Sequence, residues 1–368
     1  MNSDSIIHFI LSSRNKSRLT YRPSGKSKFT NNSSTFTETA LKLFRFQAVH
    51  NKVYAQFLAG LKTNIDQIKH ESEIPHLPIS LFKSHSIITE QAGNNEAHSA
   101  LLPLKFKSST TTGAIPSIHL VPDAKVYTTS ASEGFEHIYG PIKDWAFLCL
   151  LPGYLERPDS SLVHMCNQFI TESKYEESGF FLDKFEDLLY QIEQLQGKNA
   201  KIMLIGVSFA LLDLLELKGI SAEHPTSLQQ LFKGLTIVET GGMKGRRKEL
   251  VRADLHAQLC LGFGLSKIHS EYGMTELLSQ AWSKGNGVFT CPNWMKVSFA
   301  DPRDPLSLVS DGQSGMLNVI DLANIWSCAF IATEDLGRFI TSNPSDGFEV
   351  LGRMDHAAIR GCSLMVAQ

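Results

Sequence analysis

The chain has 368 residues, 42% of them hydrophobic, enough for one large domain or two to three ordinary ones around a packed core. Its 35 basic and 37 acidic residues leave a formal charge of -2 and are mixed along the sequence. That balance lacks the one-sided basic field that nucleic-acid binding favours and argues against nucleic acid as a partner.

The amino-terminal stretch "MNSDSIIHFILSSRNKSR" has too short an apolar patch for a signal peptide, and no segment approaches the roughly 20 apolar residues of a transmembrane helix. Cys149, Cys166, Cys260, Cys291, Cys328 and Cys362 stand at wide, irregular intervals without a C-x-x-C pair, so they read as reduced thiols of a cytoplasmic protein. After a polar run ending in "TNNSSTFTET", Leu41, Leu43, Phe44, Ala48, Val53, Tyr54, Phe57 and Leu58 recur at helical spacing and predict one apolar helical face. Two prolines in "IPHLPISLFKSHSI" then predict an extended connection.

From about residue 100 short apolar runs alternate with amphipathic segments. "WAFLCLL", "KIMLI", "LTIV" and "MLNVI" read as buried strands, and "DKFEDLLYQIEQLQ" sets Phe185, Leu188, Leu189, Ile192 and Leu195 on one helical face. Asp183 with Glu186 resembles a capping box at the start of that helix. The alternation predicts an α/β architecture of sheets covered by helices. The expected organisation is a mainly helical region over 1–95 packed on the core, an α/β core over 96–352, and a tail over 353–368.

Three loops have the chemistry to hold a nucleotide. In "KSSTTTGAIPS" the hydroxyls of Ser108, Ser109, Thr111 and Thr112 precede Gly113, a composition suited to a concave anion site, although a plain solvated turn has the same residues. In "LTIVETGGMKGRRKEL" a strand runs into Gly241, Gly242 and Met243, where paired glycines leave room for a flat ring or simply make a turn. In "HSEYGMTELLSQ", Glu276 has the hard oxygen that Mg²⁺ prefers and Thr275 a hydroxyl for a phosphate oxygen; the plain alternative is an exposed carboxylate at a helix start. A competing site is "IGVSFALLDLL", whose strand, turn and helix suit a nucleophilic Ser208 with His224, His256 or His269 as base, the mark of a serine hydrolase or thioesterase.

Tyr272, Gly273, Met274, Thr275 and Glu276 together resemble the Y-G-x-T-E motif of adenylate-forming enzymes, the acyl- and aryl-CoA ligases and their relatives. "SSTTTG" resembles their phosphate loop, "ATEDLG" their ribose-binding T-G-D segment and "GRMDHAAIRG" their G-R-x-D hinge, all in the expected order. The resemblance implies the large-domain fold of that superfamily, with ATP and Mg²⁺ as cofactors, Asp335 on the ribose, Arg353 at the hinge and Glu276 on the metal. Thr110 replaces the usual middle glycine of the phosphate loop, Ser117 falls near its usual lysine, and Glu334 replaces the glycine of T-G-D. Phosphate charge must then be neutralised by other residues. The chain ends within about ten residues of the hinge motif, so the small carboxyl-terminal domain with its catalytic lysine is expected to be missing.

A narrower resemblance rests on "IPHLPISLFKSHSI", "LLPGYLERPDSSLVHM", "SEYGMTELLSQAW" and the terminal "IRGCSL", which are similar to the LuxE family of acyl-protein synthetases. It implies activation of a fatty acid, of long chain in that family, with ATP to acyl-AMP, acyl transfer to Cys362, and delivery to an acyl-accepting reductase of the LuxC type. Arg360 and His356 are the nearby cations that raise the thiolate fraction of Cys362. Two further alternatives are a CoA ligase using free coenzyme A, and a binding protein for acyl groups or nucleotide without catalysis.

Overall fold

The computed structural model describes residues 2–14, 32–90, 104–109, 115–152, 156–217, 227–241, 250–310, 312–340 and 347–354. Two large sheets organise them. The first has six strands in the order Gly179–Phe180, Trp145–Leu150, Lys201–Val207, Thr236–Thr240, His269–Tyr272 and Ala281–Ser283; all neighbours are parallel except the last pair. Its central strands are nearly continuous apolar runs, Ala146 to Leu150 and Ile202 to Ile205 among them, because a parallel sheet is covered on both faces.

The covering helices include Ser161–Glu172, Phe185–Gly197, Ser208–Leu217 and Arg252–Phe263. Leu188, Leu189, Ile192 and Leu195 are buried on the predicted face of the second of these, with Phe185 half-buried. The expected capping box at its start is not formed. Lys184 occupies the cap position without a side-chain bond, because the Lys184 N–H donates to the Phe181 carbonyl at 3.0 Å and closes a turn through Asp183.

The second sheet has seven strands, antiparallel along the order Val288–Phe289, Phe348–Arg353, Phe330–Phe339, Gly315–Asp321, Met295–Asp301 and Asp304–Leu308. Leu77–Pro78, from the proline-containing connection, adds in parallel to Phe330–Phe339 before the chain turns into a short 3₁₀ helix over Ile79–Lys83. A separate hairpin pairs Leu104–Lys107 with Ile118–Val121.

The predicted amino-terminal helical face divides between two helices, Asn32–His50 and Lys52–Gly60. The break is at Asn51, whose extended backbone (φ -106°, ψ 105°) frees its side chain to accept from Tyr54 N–H as a cap. The same Asn51 amide donates to the Ser327 carbonyl at 2.9 Å, and buried Gln47 donates to the carbonyls of Asn324 and Ile325 while accepting from Ala329 N–H. These polar ties fasten the helices to the turn between two strands of the second sheet. A further helix, Ser3–Arg14, buries Ile6 and Ile10 and packs on the helix Ala124–Tyr139. Among the described residues no helix is long and apolar enough to cross a membrane.

Candidate functional site

A cleft of about 140 Å³ opens at the carboxyl ends of the parallel strands. Leu151 follows the strand Trp145–Leu150, Thr240 ends and Gly241 follows the strand Thr236–Thr240, and Gly273 to Thr275 follow the strand His269–Tyr272; all line the cleft. Gly241 has φ 55°, a left-handed conformation that favours glycine, so the turn after its strand can stay tight against the opening. Gly273 is required by space: a Cβ there would collide with the Glu271 carboxylate and press on the Gln280 side chain.

The motif residues meet around Tyr272. Its hydroxyl donates to Asp335 Oδ2 at 2.8 Å, and Arg353 Nε lies 3.4 Å from Asp335 Oδ1. Burial, with the Asp335 carboxylate beside it, holds the Tyr272 phenol well above its ordinary pKa, so it stays protonated and donates. This contact joins the parallel sheet, through Tyr272, to two strands of the antiparallel sheet, through Asp335 and Arg353. Three sequence motifs separated by up to 81 positions in the chain thus share one carboxylate.

Thr275 and Glu276 are held from beneath. His119 Nδ1 lies 2.8 Å from the Thr275 carbonyl, which can only accept, so Nδ1 carries the proton. Burial pushes His119 down to about 4, keeping it neutral. Asn324 donates to the Glu276 carbonyl at 2.7 Å, and Asp321 accepts from the backbone N–H groups of Leu278, Ser279 and Ala323 and from the Ser279 hydroxyl. The Glu276 carboxyl is 5% exposed; burial raises its pKa, while a Ser117 hydrogen bond opposes the rise.

Among the described residues no group of three or more His, Cys, Asp or Glu side chains could hold a metal ion. The single carboxylate of Glu276, next in sequence to cleft-lining Thr275, nevertheless suits Mg²⁺, which takes most of its ligands from phosphate and water and needs only one or two from protein.

In the hydroxyl-rich loop, Ser108 is engaged across the hairpin: its Oγ accepts from Ser117 N–H at 2.8 Å, and its N–H donates to the Ser117 carbonyl at 3.1 Å. Ser109 lines the cleft. Thr111, Thr112, Gly113, Gly242, Met243 and Cys362 lie outside the described residues, as do His224, His356 and Arg360. Lys107 and Arg157 also line the cleft, both on the Asp159 carboxylate at 3.7 and 3.2 Å. Lys107 opens the stretch "KSSTTTGAIPS" and Arg157 lies in "LLPGYLERPDSSLVHM"; fifty positions separate them, and only the fold brings them to one cleft.

Ser208 begins a helix directly after the strand Lys201–Val207, the setting expected of a nucleophile elbow. Its hydroxyl is buried and lies 2.7 Å from Glu239 Oε1, to which it donates. His256 Nε2 stands 3.1 Å from the Ser270 hydroxyl and 3.7 Å from Glu239 Oε2, and His269 Nδ1 pairs with the Tyr139 hydroxyl at 3.1 Å. Neither is a base for Ser208. Gly206 has a packing reason instead, since a Cβ there would sit 2.8 Å from Leu211 Cγ.

Residues 10–368 match the family model described as "Acyl-protein synthetase, LuxE". A curated relative, the long-chain-fatty-acid–luciferin-component ligase of Aliivibrio fischeri, is 30% identical over 148 residues, 37% of this chain and 39% of that protein. The chain therefore aligns with less than half the length of this relative. Among solved structures, 2-hydroxyisobutyryl-CoA ligase with 2-HIB-AMP and CoA in the thioesterification state has a TM-score of 0.63 at 13% identity, covering 92% of this chain and 73% of that one. Its open conformation gives 0.60 at 11% identity, covering 92% and 76%. At such identities the likeness establishes the fold, an α/β adenylate-forming ligase fold.

Proposed function

Since this chain belongs to the LuxE acyl-protein synthetase family, we propose that it activates a fatty acid with ATP, takes the acyl group onto Cys362 and delivers it to a reductase of the LuxC type in the cytoplasm. The observation that carries the first step is the meeting of Tyr272, Asp335 and Arg353 beside the cleft that Gly241, Gly273, Met274 and Thr275 line.

A carboxylate resists nucleophiles because it is negatively charged and would have to expel oxide. In the proposed first step its oxygen attacks the α-phosphorus of ATP, a new P–O bond forms, and the bond to pyrophosphate breaks. Little of this needs a reactive side chain; it needs positioning and charge stabilisation. Asp335 keeps lone pairs beyond those that Tyr272 and Arg353 use, which supports a role in binding the ribose hydroxyls. Ser109, Thr275, Lys107 and Arg157 border the space for phosphates, with Thr111, Thr112 and Gly113 completing the loop. Glu276 would hold Mg²⁺, which would supply neutralising charge to the phosphate oxygens.

In the second step the Cys362 thiolate attacks the acyl carbonyl and AMP leaves with the former carboxylate oxygen, giving a protein thioester. A free thiol has a pKa of about 8.5, and the cations at Arg360 and His356 increase the ionised fraction. A thiol carried on the same chain as the adenylating site also acts at a high effective concentration wherever its segment reaches that site. The first step is tested by fatty-acid-dependent exchange of labelled pyrophosphate into ATP. Exchange by the native protein and a KM for ATP raised at least about tenfold in Asp335→Ala are expected; exchange unaffected by that substitution would remove Asp335 from the nucleotide site.

A further inference from the structure

Part of the lining of the cleft has a mixed character that the adenylation reading leaves unexplained. Leu151, Leu162, Val163 and Met165 offer apolar contact, as an acyl chain requires. Against them stand Glu271 and Gln280, two polar side chains that are 9% and 5% exposed. Both converge over Gly273: a Cβ built there would meet the Glu271 carboxylate and would lie 3.3 Å from Gln280 Cγ.

Only part of this pair is satisfied internally. Glu271 Oε2 accepts from the Thr240 hydroxyl at 2.5 Å. Gln280 Oε1 is buried without a hydrogen-bond partner among the described residues. A buried carbonyl left in that state carries an uncompensated desolvation cost, which an occupant able to donate a hydrogen bond would recover. A plain alkyl chain cannot do so, and would bury the group further.

Resting on the adenylation reading, we propose that Glu271 and Gln280 form a recognition subsite for a hydroxyl on the acyl chain, so that the substrate is a hydroxylated fatty acid. The hydroxyl donates to Gln280 Oε1 and accepts from, or donates to, the Glu271 carboxyl. Burial pushes the Glu271 carboxyl up to about 7, which makes its protonated, donating form available near neutrality. The apolar residues hold the methylene groups on either side. Sites built around a substrate hydroxyl reject the analogue that lacks it far more strongly than apolar pockets reject an extra methylene, because the protein groups are otherwise left unpaired.

The test is acid-dependent pyrophosphate exchange with decanoate and a panel of its monohydroxylated derivatives, run on the full chain and on Gln280→Leu and Glu271→Gln. The native protein is expected to favour one hydroxylated acid over decanoate by at least about tenfold in kcat/KM, with the ratio falling toward one in both variants. A merely structural role would lower activity with every acid and leave the ratio in place. Equal or better use of decanoate by the native protein, or a ratio that survives both substitutions, overturns the subsite while leaving adenylation intact. Exchange with hexadecanoate but with none of these acids overturns the subsite alone, and a folded native protein that catalyses exchange with none of them, hexadecanoate included, overturns the adenylation reading and the subsite with it.

Discussion

Asp335 shows how much a single residue can hold together. Its carboxylate receives the Tyr272 hydroxyl and faces Arg353, so it links the two sheets at the mouth of the cleft. Tyr272→Phe removes one charge-assisted hydrogen bond and leaves a buried carboxylate oxygen short of a donor, a loss of about 1–3 kcal/mol to be read from urea unfolding. Glu271 makes a prediction of the opposite kind. Its pKa stands at about 7 through burial, reinforced by the Glu239 charge, against an ordinary 4.5. The folded state therefore holds its proton more tightly than the unfolded chain. The resulting stabilisation is complete below pH 4.5 and is lost as pH rises through about 7, a total of about 3 kcal/mol. Glu271→Gln lacks this dependence, so its stability relative to the native protein should improve by roughly that amount between pH 4.5 and 8. Stability curves that stay parallel across that range would contradict the assignment.

At the scale of elements, the segment from Tyr272 to Gln280 depends on Asp321, which lies at the end of a strand of the other sheet. Its carboxylate accepts from three backbone N–H groups and the Ser279 hydroxyl. Asp321→Ala leaves these donors buried and unpaired, and should cost about 3 kcal/mol or more while raising the KM for ATP; a variant as stable as the native protein would show that the segment holds itself. Asp321 could not be singled out from sequence, because "NVIDL" reads as the end of one more apolar strand. Trp145–Leu150, Lys201–Val207 and Thr236–Thr240 were legible because strands buried on both faces carry apolar runs; His269–Tyr272, buried but mostly polar, carries no such run. The capping box at Asp183 failed because a local turn competed for the same residues, and the predicted amino-terminal helical face divides between two helices because Asn51 is used as a cap and a cross-link at once. The Tyr272, Asp335 and Arg353 motifs could be recognised separately. Their sharing of one carboxylate, and the arrival of Lys107, Arg157 and Gln280 at the same cleft, are products of tertiary packing that no local spacing announces.

For the whole molecule, buried histidines set the acid limit. His119 and His269, 1% and 8% exposed, are pushed by burial to about 4 from an ordinary 6.5. Each must charge on unfolding, so their contribution is present above pH 6.5 and is lost as pH falls toward 4. Glu271 opposes this loss between 7 and 4.5, so Glu271→Gln should lose stability more steeply on acidification than the native protein, a difference measurable as the slope of Tm against pH. At this scale the proposed function is the passage of an acyl group from the cleft at the carboxyl ends of the parallel strands to the thiol of Cys362.

The most direct measurement is acylation of the purified chain with labelled fatty acid and Mg-ATP, followed by neutral hydroxylamine, with Cys362→Ser beside it. Hydroxylamine-labile label on the native protein, absent from the variant although the variant still exchanges pyrophosphate into ATP, is the predicted result. Label that persists in Cys362→Ser, or exchange without any label on the native protein, would contradict transfer to Cys362 and point to another acceptor, free coenzyme A in the second case.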